Sequence, residues 1–505
     1  MKTTDLVSGM AVFEWLNLKM LLIFLLGFLL VFYLIQTRIP NQLPPGPSFW
    51  TQCGYLLTRD RRLPHIRMNQ VVNTYGNICR VNMFWVKIII MSGFQTIQEA
   101  LVLHSKEFSG RPNMRINDLL AKGQGIVTAP YGKSWKQQRR FTLTIFRNFG
   151  LGKIAFEVKI QEEAQYLTET LKSKFEGQVV DLKPLITAAV SNVICSIVLG
   201  QRFHHDDKTF TRLIKLFDEA LELSSGFWIK ACAVLPAIYH LPGPHQRIFE
   251  NKAAIEAILQ DFIRQHRETR DGETIRDFID AYLLEMEKKQ EADSFMLDGN
   301  LLYNIYDLFL AGTETTTTTL QWGLMYMMAY PDIQERCQKE IDEVIGRSRT
   351  PSLEDRARMP FVNAVIHEIQ RFASVLPFSV MHTTTQDTRF MGYTIKKDTL
   401  VLFNLWSALT EEGQWKHPHQ FNPENFLNDS GEFFKPDAFI PFSMGPRVCL
   451  GEKLARMELF LFFTLLLQQL EFRWPDKSSP PNLEGVYKIV WAPHPYKAEV
   501  RCRET

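Results

Sequence analysis

The chain has 505 residues, 46% hydrophobic and 22% charged, the balance of an ordinary globular body with an added apolar segment. Its 57 Lys and Arg against 55 Asp and Glu leave a net charge of +2, which gives no overall reason to expect a nucleic-acid partner. Seven cysteines, an odd number scattered from Cys53 to Cys502 with no CxxC pair, argue against a disulfide framework or zinc cluster and for reduced thiols in a cytosol-facing body.

After an N-terminal flank (1–19), Met20 to Ile35 carries no charged residue. As a helix these residues rise about 24 Å, short of a hydrocarbon core of roughly 30 Å. Leu16, Leu18, a snorkelling Lys19, Gln36 and Thr37 make up the difference. A cleaved signal peptide is the alternative, but no small-x-small site follows Ile35. Basic residues follow the segment (Arg38, Arg59, Arg61, Arg62, Arg67), whereas Lys2, Asp5 and Glu14 before it nearly cancel, so the body is expected on the cytoplasmic side. The expected layout is a transmembrane anchor over 20–37, a stiff proline-rich hinge over 38–48 containing LPPGP, and one domain over 49–505, because no repeat or second linker splits the rest.

Within the body, Val81 to Met91 reads as a strand and Arg389 to Leu402 as a hairpin around Gly392 and Lys397. Gln161–Glu176, Phe249–Arg267, Thr274–Gln290 and Pro331–Gly346 carry helical periodicity, the last between a proline and a glycine. The class is therefore mainly α with a small β subdomain. Leu301 to Tyr330 is apolar enough to suggest another membrane span, but Asp307, Glu314 and the threonine run argue for a long helix through the core. Five successive threonines from Thr315 are poor helix material, and a hydroxyl that captures a backbone carbonyl is expected to bend the helix beside Gly312 and open a pocket.

Phe442 to Gly451 reads FSMGPRVCLG. A deprotonated cysteine is a soft axial ligand for haem iron, and its electron donation favours O–O cleavage. Gly445 permits a tight turn, Gly451 close approach of a flat ligand, Phe442 shields the sulfur and Arg447 is placed to neutralise a propionate.

This run has the full FxxGxRxCxG pattern of the cytochrome P-450 superfamily, and the chain resembles its microsomal family 2 members from the anchor to about Arg503. The resemblance implies the cytochrome P-450 fold, haem b held by Cys449, and oxygen insertion with electrons passed from NADPH by a separate reductase; no GxGxxG or flavin segment is present. It assigns Thr315 the holding of dioxygen and a water, and Glu314, where many members have Asp, the supply of protons on the oxygen-binding face. Trp135 and Arg139 reproduce WxxxR, and with Arg111 and His382 match propionate-contacting positions. Glu368 and Arg371 form the structural ExxR pair, three apart on one helical face; Asn425 stands where many members have arginine, which leaves the pair's third partner open.

By the same resemblance the substrate pocket is lined by 114–120, by the central helix from Asp307 to Thr315 including Ala311, by the loop 375–380 with Val375, Leu376, Phe378 and Val380, and by residues near Ile489. RRFTLTIFRNFGLGK, RDFIDAYLLEM and NAVIHEIQR look closest to subfamilies acting on fatty acids and lipophilic xenobiotics. The implied setting is the endoplasmic reticulum membrane, with NADPH-cytochrome reductase and cytochrome b5 as partners of a basic face near Lys133, Lys136, Arg140, Lys453 and Arg456. A haem-thiolate isomerase or dehydratase, or a haem sensor or lipid carrier, would not need the acid and alcohol, so Glu314 and Thr315 favour a monooxygenase.

Overall fold

The computed structural model describes residues 43–48, 51, 64–83, 86–113, 121–150, 154–234, 236–271, 274–288, 295–476 and 478–503, with 20, 23, 24, 27 and 31 near the N-terminus. The expected anchor lies almost wholly outside these residues. Met20, Ile23, Phe24 and Val31 are helical with exposed apolar side chains. No helix among the described residues is long and apolar enough to cross a membrane. The described part of the hinge is stitched to the body: the Pro45 carbonyl accepts the Arg80 N–H at 2.7 Å, and a Cβ on Gly46 would stand 1.9 Å from the Arg80 carbonyl oxygen.

The longer helices are α1 (Pro64–Tyr75), α2 (Lys133–Asn148), α3 (Ile154–Phe175), α4 (Lys183–Val198), α5 (Lys208–Ser224), α6 (Gln246–Thr269), α7 (Phe278–Lys288), α8 (Asp298–Ala329), α9 (Pro331–Val344), α10 (Pro360–Ala373) and α11 (Glu452–Gln469). Helix α7 starts later than its periodicity suggests because the Asp277 side chain accepts the Asp280 N–H at 2.9 Å, a cap that fixes its first turn.

A four-stranded sheet has the order β1 (Ile78–Met83), β2 (Val86–Ser92), β7 (Leu400–Asn404), β4 (His382–Thr383), with β2 and β7 parallel. A second sheet joins β3 (Val179–Val180), β11 (Ala498–Cys502) and β8 (Leu470–Arg473), and two hairpins pair β5 (Thr388–Phe390) with β6 (Tyr393–Ile395) and β9 (Val486–Tyr487) with β10 (Trp491–Ala492). Two strand readings change. The stretch 81–91 is an antiparallel pair, Val81 opposite Ile88, rather than one strand. The hairpin around Gly392, which adopts φ 84°, ends at Ile395, and Leu400–Leu402 leaves it to pair with β2.

Helix α8 crosses the core for 32 residues, about 48 Å, with unbroken helical bonding through the threonines. Thr315 and Thr319 return their hydroxyls to the carbonyls of Ala311 and Thr315, each at 2.8 Å, and the run does not break the helix at Gly312, although the buried Thr317 hydroxyl has no partner. Gly312 instead lets α4 approach: a Cβ there would lie 2.5 Å from Ile194 Cδ1. On the other side Phe460, Phe462, Phe463, Leu466 and Leu467 of α11 are almost fully buried, each contributing about 2 kcal/mol over exposure.

Candidate active site

A cavity of about 310 Å³ lies among α8, α11, the loop carrying Cys449 and the segment 375–382. The cysteine loop is held by its own backbone. The Cys449 N–H donates to the Phe442 carbonyl at 3.0 Å, and Gly445, at φ 72°, sits where a Cβ would be 2.0 Å from the Leu101 carbonyl oxygen. Any other residue at 445 would both strain the turn and displace that strand of chain. Protein encloses Cys449, and its accessible surface faces the cavity. Burial and, less strongly, the Glu452 charge push its thiol up, while the backbone N–H of Gly451 and, more weakly, the Arg139 charge and the Glu452 N–H favour thiolate. A cationic metal on the sulfur would complete that balance.

One rim of the cavity gathers Arg111, Arg139 and Arg447, with no carboxylate paired to them among the described residues. Arg447 donates to the carbonyls of Ser109, Ile126 and Ala129, Arg111 to those of Val127, Val380 and Met381, and Arg139 to that of Val448 at 2.6 Å. Burial, then the repulsion of Arg111 and Arg139, lowers Arg447 to about 8; burial, then Arg139, lowers Arg111 to about 9. Three arginines on one rim, Arg447 buried and Arg111 and Arg139 partly so, with a cysteine sulfur and a largely apolar lining, call for a flat apolar ligand that bears anions on one edge and a metal at its centre. Haem with its two propionates fits that description.

Other expected contacts are placed differently. The Trp135 indole N–H is taken by the Ile126 carbonyl at 3.0 Å, and its ring instead supports the Arg447 guanidinium at 4.0 Å. His382 lines the cavity, but its Nδ1 is engaged with the Phe108 carbonyl at 2.6 Å, and burial followed by the Arg111 charge keeps it neutral. Thr315, Ala311, Val375, Leu376 and Val380 line the cavity as expected. Phe378 does not: its backbone is bridged to Asn404 of β7, and its ring meets Tyr487 at 6.3 Å. Ile489 borders a different pocket, and 114–120 lies outside the described residues.

Glu314 lies apart from Thr315. Its side chain leaves the cavity side of α8 and enters a second, smaller pocket with Lys183, Asp218 and Lys488. Burial raises its pKa, opposed first by the Lys183 charge, and Thr318 contacts it at 3.4 Å.

The scaffold beneath is fully locked. Arg371 binds both Glu368 oxygens (2.6 and 2.7 Å), with both side chains 0% exposed, and gives its remaining N–H groups to the carbonyls of Leu409, His417, Pro418 and Gln420. The open third position is filled by Asn425, whose Nδ2 reaches both Glu368 oxygens (3.2 and 3.3 Å) and the His417 carbonyl, while the Asn422 N–H donates to Glu368 at 2.7 Å. Charge and donors are thereby balanced without a second arginine.

Among the lining residues that were not anticipated, one is a buried acid. Glu458 on α11 is 1% exposed, borders the cavity, interacts with Thr316 and leaves Oε1 without a partner; burial pushes its carboxyl up to about 8. An acid inside the apolar stretch MELFLFF is the signal that marked it.

These features define a haem-thiolate enzyme site. The Cytochrome P450 family matches residues 44–500, and the chain belongs to that family. It is 41% identical to cytochrome P450 2D15 of Canis lupus familiaris over 93% of this chain and 94% of the relative. It is 42% identical to cytochrome P450 2J2 of Homo sapiens (92% and 91%) and 42% to cytochrome P450 2B4 of Oryctolagus cuniculus (94% and 97%). The protein is accordingly a haem-thiolate monooxygenase of the family 2 type, using haem b and NADPH-derived electrons passed on by a reductase.

Proposed function

We propose that this enzyme oxygenates lipophilic molecules of the fatty-acid or xenobiotic kind at the endoplasmic reticulum membrane. The observation that carries the reading is a single cavity in which the Cys449 sulfur, the Thr315 hydroxyl and the apolar Val375, Leu376 and Val380 come together. Haem held by Cys449 supplies the activation of dioxygen.

The chain's own residues do the rest. Arg111, Arg139 and Arg447 orient the cofactor by its acidic edge and gain the counter-charge they lack. Thr315 rests with its proton on the Ala311 carbonyl and must turn that hydroxyl into the cavity to hold a proton for transfer. Glu314, with a carboxyl raised by burial, collects protons on the far face of α8 from the pocket that Lys183 and Asp218 border, and passes them by rotating about the helix edge. Val375, Leu376 and Val380 exclude water and receive the hydrocarbon. Exposed Met20, Ile23, Phe24 and Val31 on helical backbone support membrane attachment of the N-terminal segment, and the basic residues near Lys133, Lys136 and Lys453 support docking of NADPH-cytochrome reductase and cytochrome b5.

The test is reconstitution with reductase, NADPH and a lipid extract under isotopically labelled dioxygen. Products carrying one labelled oxygen atom are expected; steady NADPH consumption with rearranged but unlabelled lipid would sink the assignment.

A further inference from the structure

His367 is 2% exposed in an aromatic cage, its ring 4.6 Å from Phe433, 5.1 Å from Phe439 and 5.5 Å from Phe426. Such a site suits an apolar side chain, yet both ring nitrogens are used. Nδ1 lies 2.7 Å from the Asn363 carbonyl, which only accepts, so Nδ1 carries the hydrogen and Nε2 presents a lone pair. That lone pair receives NH1 of Arg456 at 2.9 Å. The other side of the guanidinium is tied to Glu452 at 3.0 Å, and its face stands over Phe442, 5.0 Å from the ring centroid, and near Phe439 at 5.6 Å. The Phe442 carbonyl in turn receives the Cys449 N–H at 3.0 Å. Arg456 is only 15% exposed, so its charge is weakly screened at the sulfur loop.

We propose that His367 is a positioning residue that pins Arg456 beneath Phe442, where the fixed positive charge favours one-electron reduction of the iron held by Cys449. The inference rests on the haem assignment above. Reduction adds one electron, delivered by the flavoprotein reductase in turnover, and the added negative charge is stabilised by a cation that cannot swing into water. Glu452 offsets part of that charge, so the lone pair decides whether the guanidinium stays under the ring or follows the carboxylate outward. Burial and the charges of Arg456, Arg356 and Lys435 around the imidazole hold His367 neutral, with a pKa of about 3, so the acceptor persists throughout the working range.

The experiment is a dye-mediated potentiometric titration of the purified full-length holoenzyme without reductase, so that changes in partner docking do not enter. His367→Phe fills the cage without a lone pair and is expected to weaken reduction about tenfold, a drop of about 59 mV for a one-electron couple. Arg456→Leu should lower the potential at least as far, the double variant no further than Arg456→Leu alone, and His367→Gln, which can still accept, should recover most of the loss. Unchanged potentials in His367→Phe and Arg456→Leu, with the red-shifted carbon monoxide band intact, overturn the proposal. If His367→Phe takes up no haem, Arg456→Leu decides alone. Absence of the band in the unmodified enzyme would instead defeat the haem assignment.

Discussion

Replacing Asn425 with aspartate changes one NH₂ for one oxygen and almost no volume, yet it reverses the chemistry of the buried scaffold. Nδ2 now donates to both Glu368 oxygens at 3.2 and 3.3 Å, and both residues are at most 2% exposed. Asn425→Asp turns those contacts into oxygen against oxygen. At an effective dielectric of about 20, two like charges 3.2 Å apart repel by about 5 kcal/mol. Arg371 relieves part of this, while the lost bond to the His417 carbonyl adds about 1 kcal/mol. We therefore expect a net loss of about 3–5 kcal/mol at pH 7.5, the scale seen when a buried pair is broken. The loss should shrink as pH falls, because one carboxyl of the new pair takes up a proton and becomes a donor. Urea unfolding followed by the haem absorbance at pH 7.5 and pH 5.5 measures both effects. A loss below about 1 kcal/mol at pH 7.5, or one that grows on acidification, would refute the role given to Asn425.

Three further outcomes follow from the same geometry. Thr315→Ala should uncouple NADPH consumption from product and release peroxide, read as the ratio of the two; unchanged coupling removes Thr315 from the proton path. His65 is 0% exposed between Trp406 and Trp491, and burial lowers its pKa to about 4 from 6.5, so the folded form resists a proton that the unfolded chain accepts. Its contribution is whole above pH 6.5 and about 3 kcal/mol is lost by pH 4; His65→Phe should flatten that slope, and an unaltered slope contradicts the assignment. Glu458 is raised from 4.5 to about 8, so stability falls as pH climbs through that interval, and Glu458→Gln should be the more stable form by a margin that widens from pH 5 to pH 8, read by thermal unfolding; a constant margin argues against a buried acid there.

The elements whose chemistry is local were legible in the sequence. The cysteine loop, ExxR and WxxxR each place their residues within one turn or helix face, and the long periodic helices needed no partner to declare themselves. What escaped depended on contacts distant in sequence or on side-chain direction. Successive helix residues diverge by about 100°, and here the cavity takes Thr315 and Thr316 while Glu314, one step the other way, falls in the second pocket, a choice that a motif match passes over. Phe378 packs its ring near Tyr487, a partner far along the chain. Met83 pairs with Val86 across β1 and β2, and the sequence between them has no glycine, proline, asparagine or aspartate to announce a turn, so two strands read as one. Asn425 looked like a lost arginine because its value lies in reaching Glu368 fifty-seven residues away.

The central claim is that Cys449 holds the haem iron as thiolate while the arginine rim binds its acidic edge. The most direct test is the absorbance of the reduced carbon monoxide complex of the purified enzyme beside Cys449→Ser. The unmodified enzyme should give the red-shifted band of a thiolate-ligated haem, and Cys449→Ser should lose it, because an alcohol is too weakly acidic to replace the thiolate. A red-shifted band that survives in Cys449→Ser would contradict the ligand assignment and the site built on it.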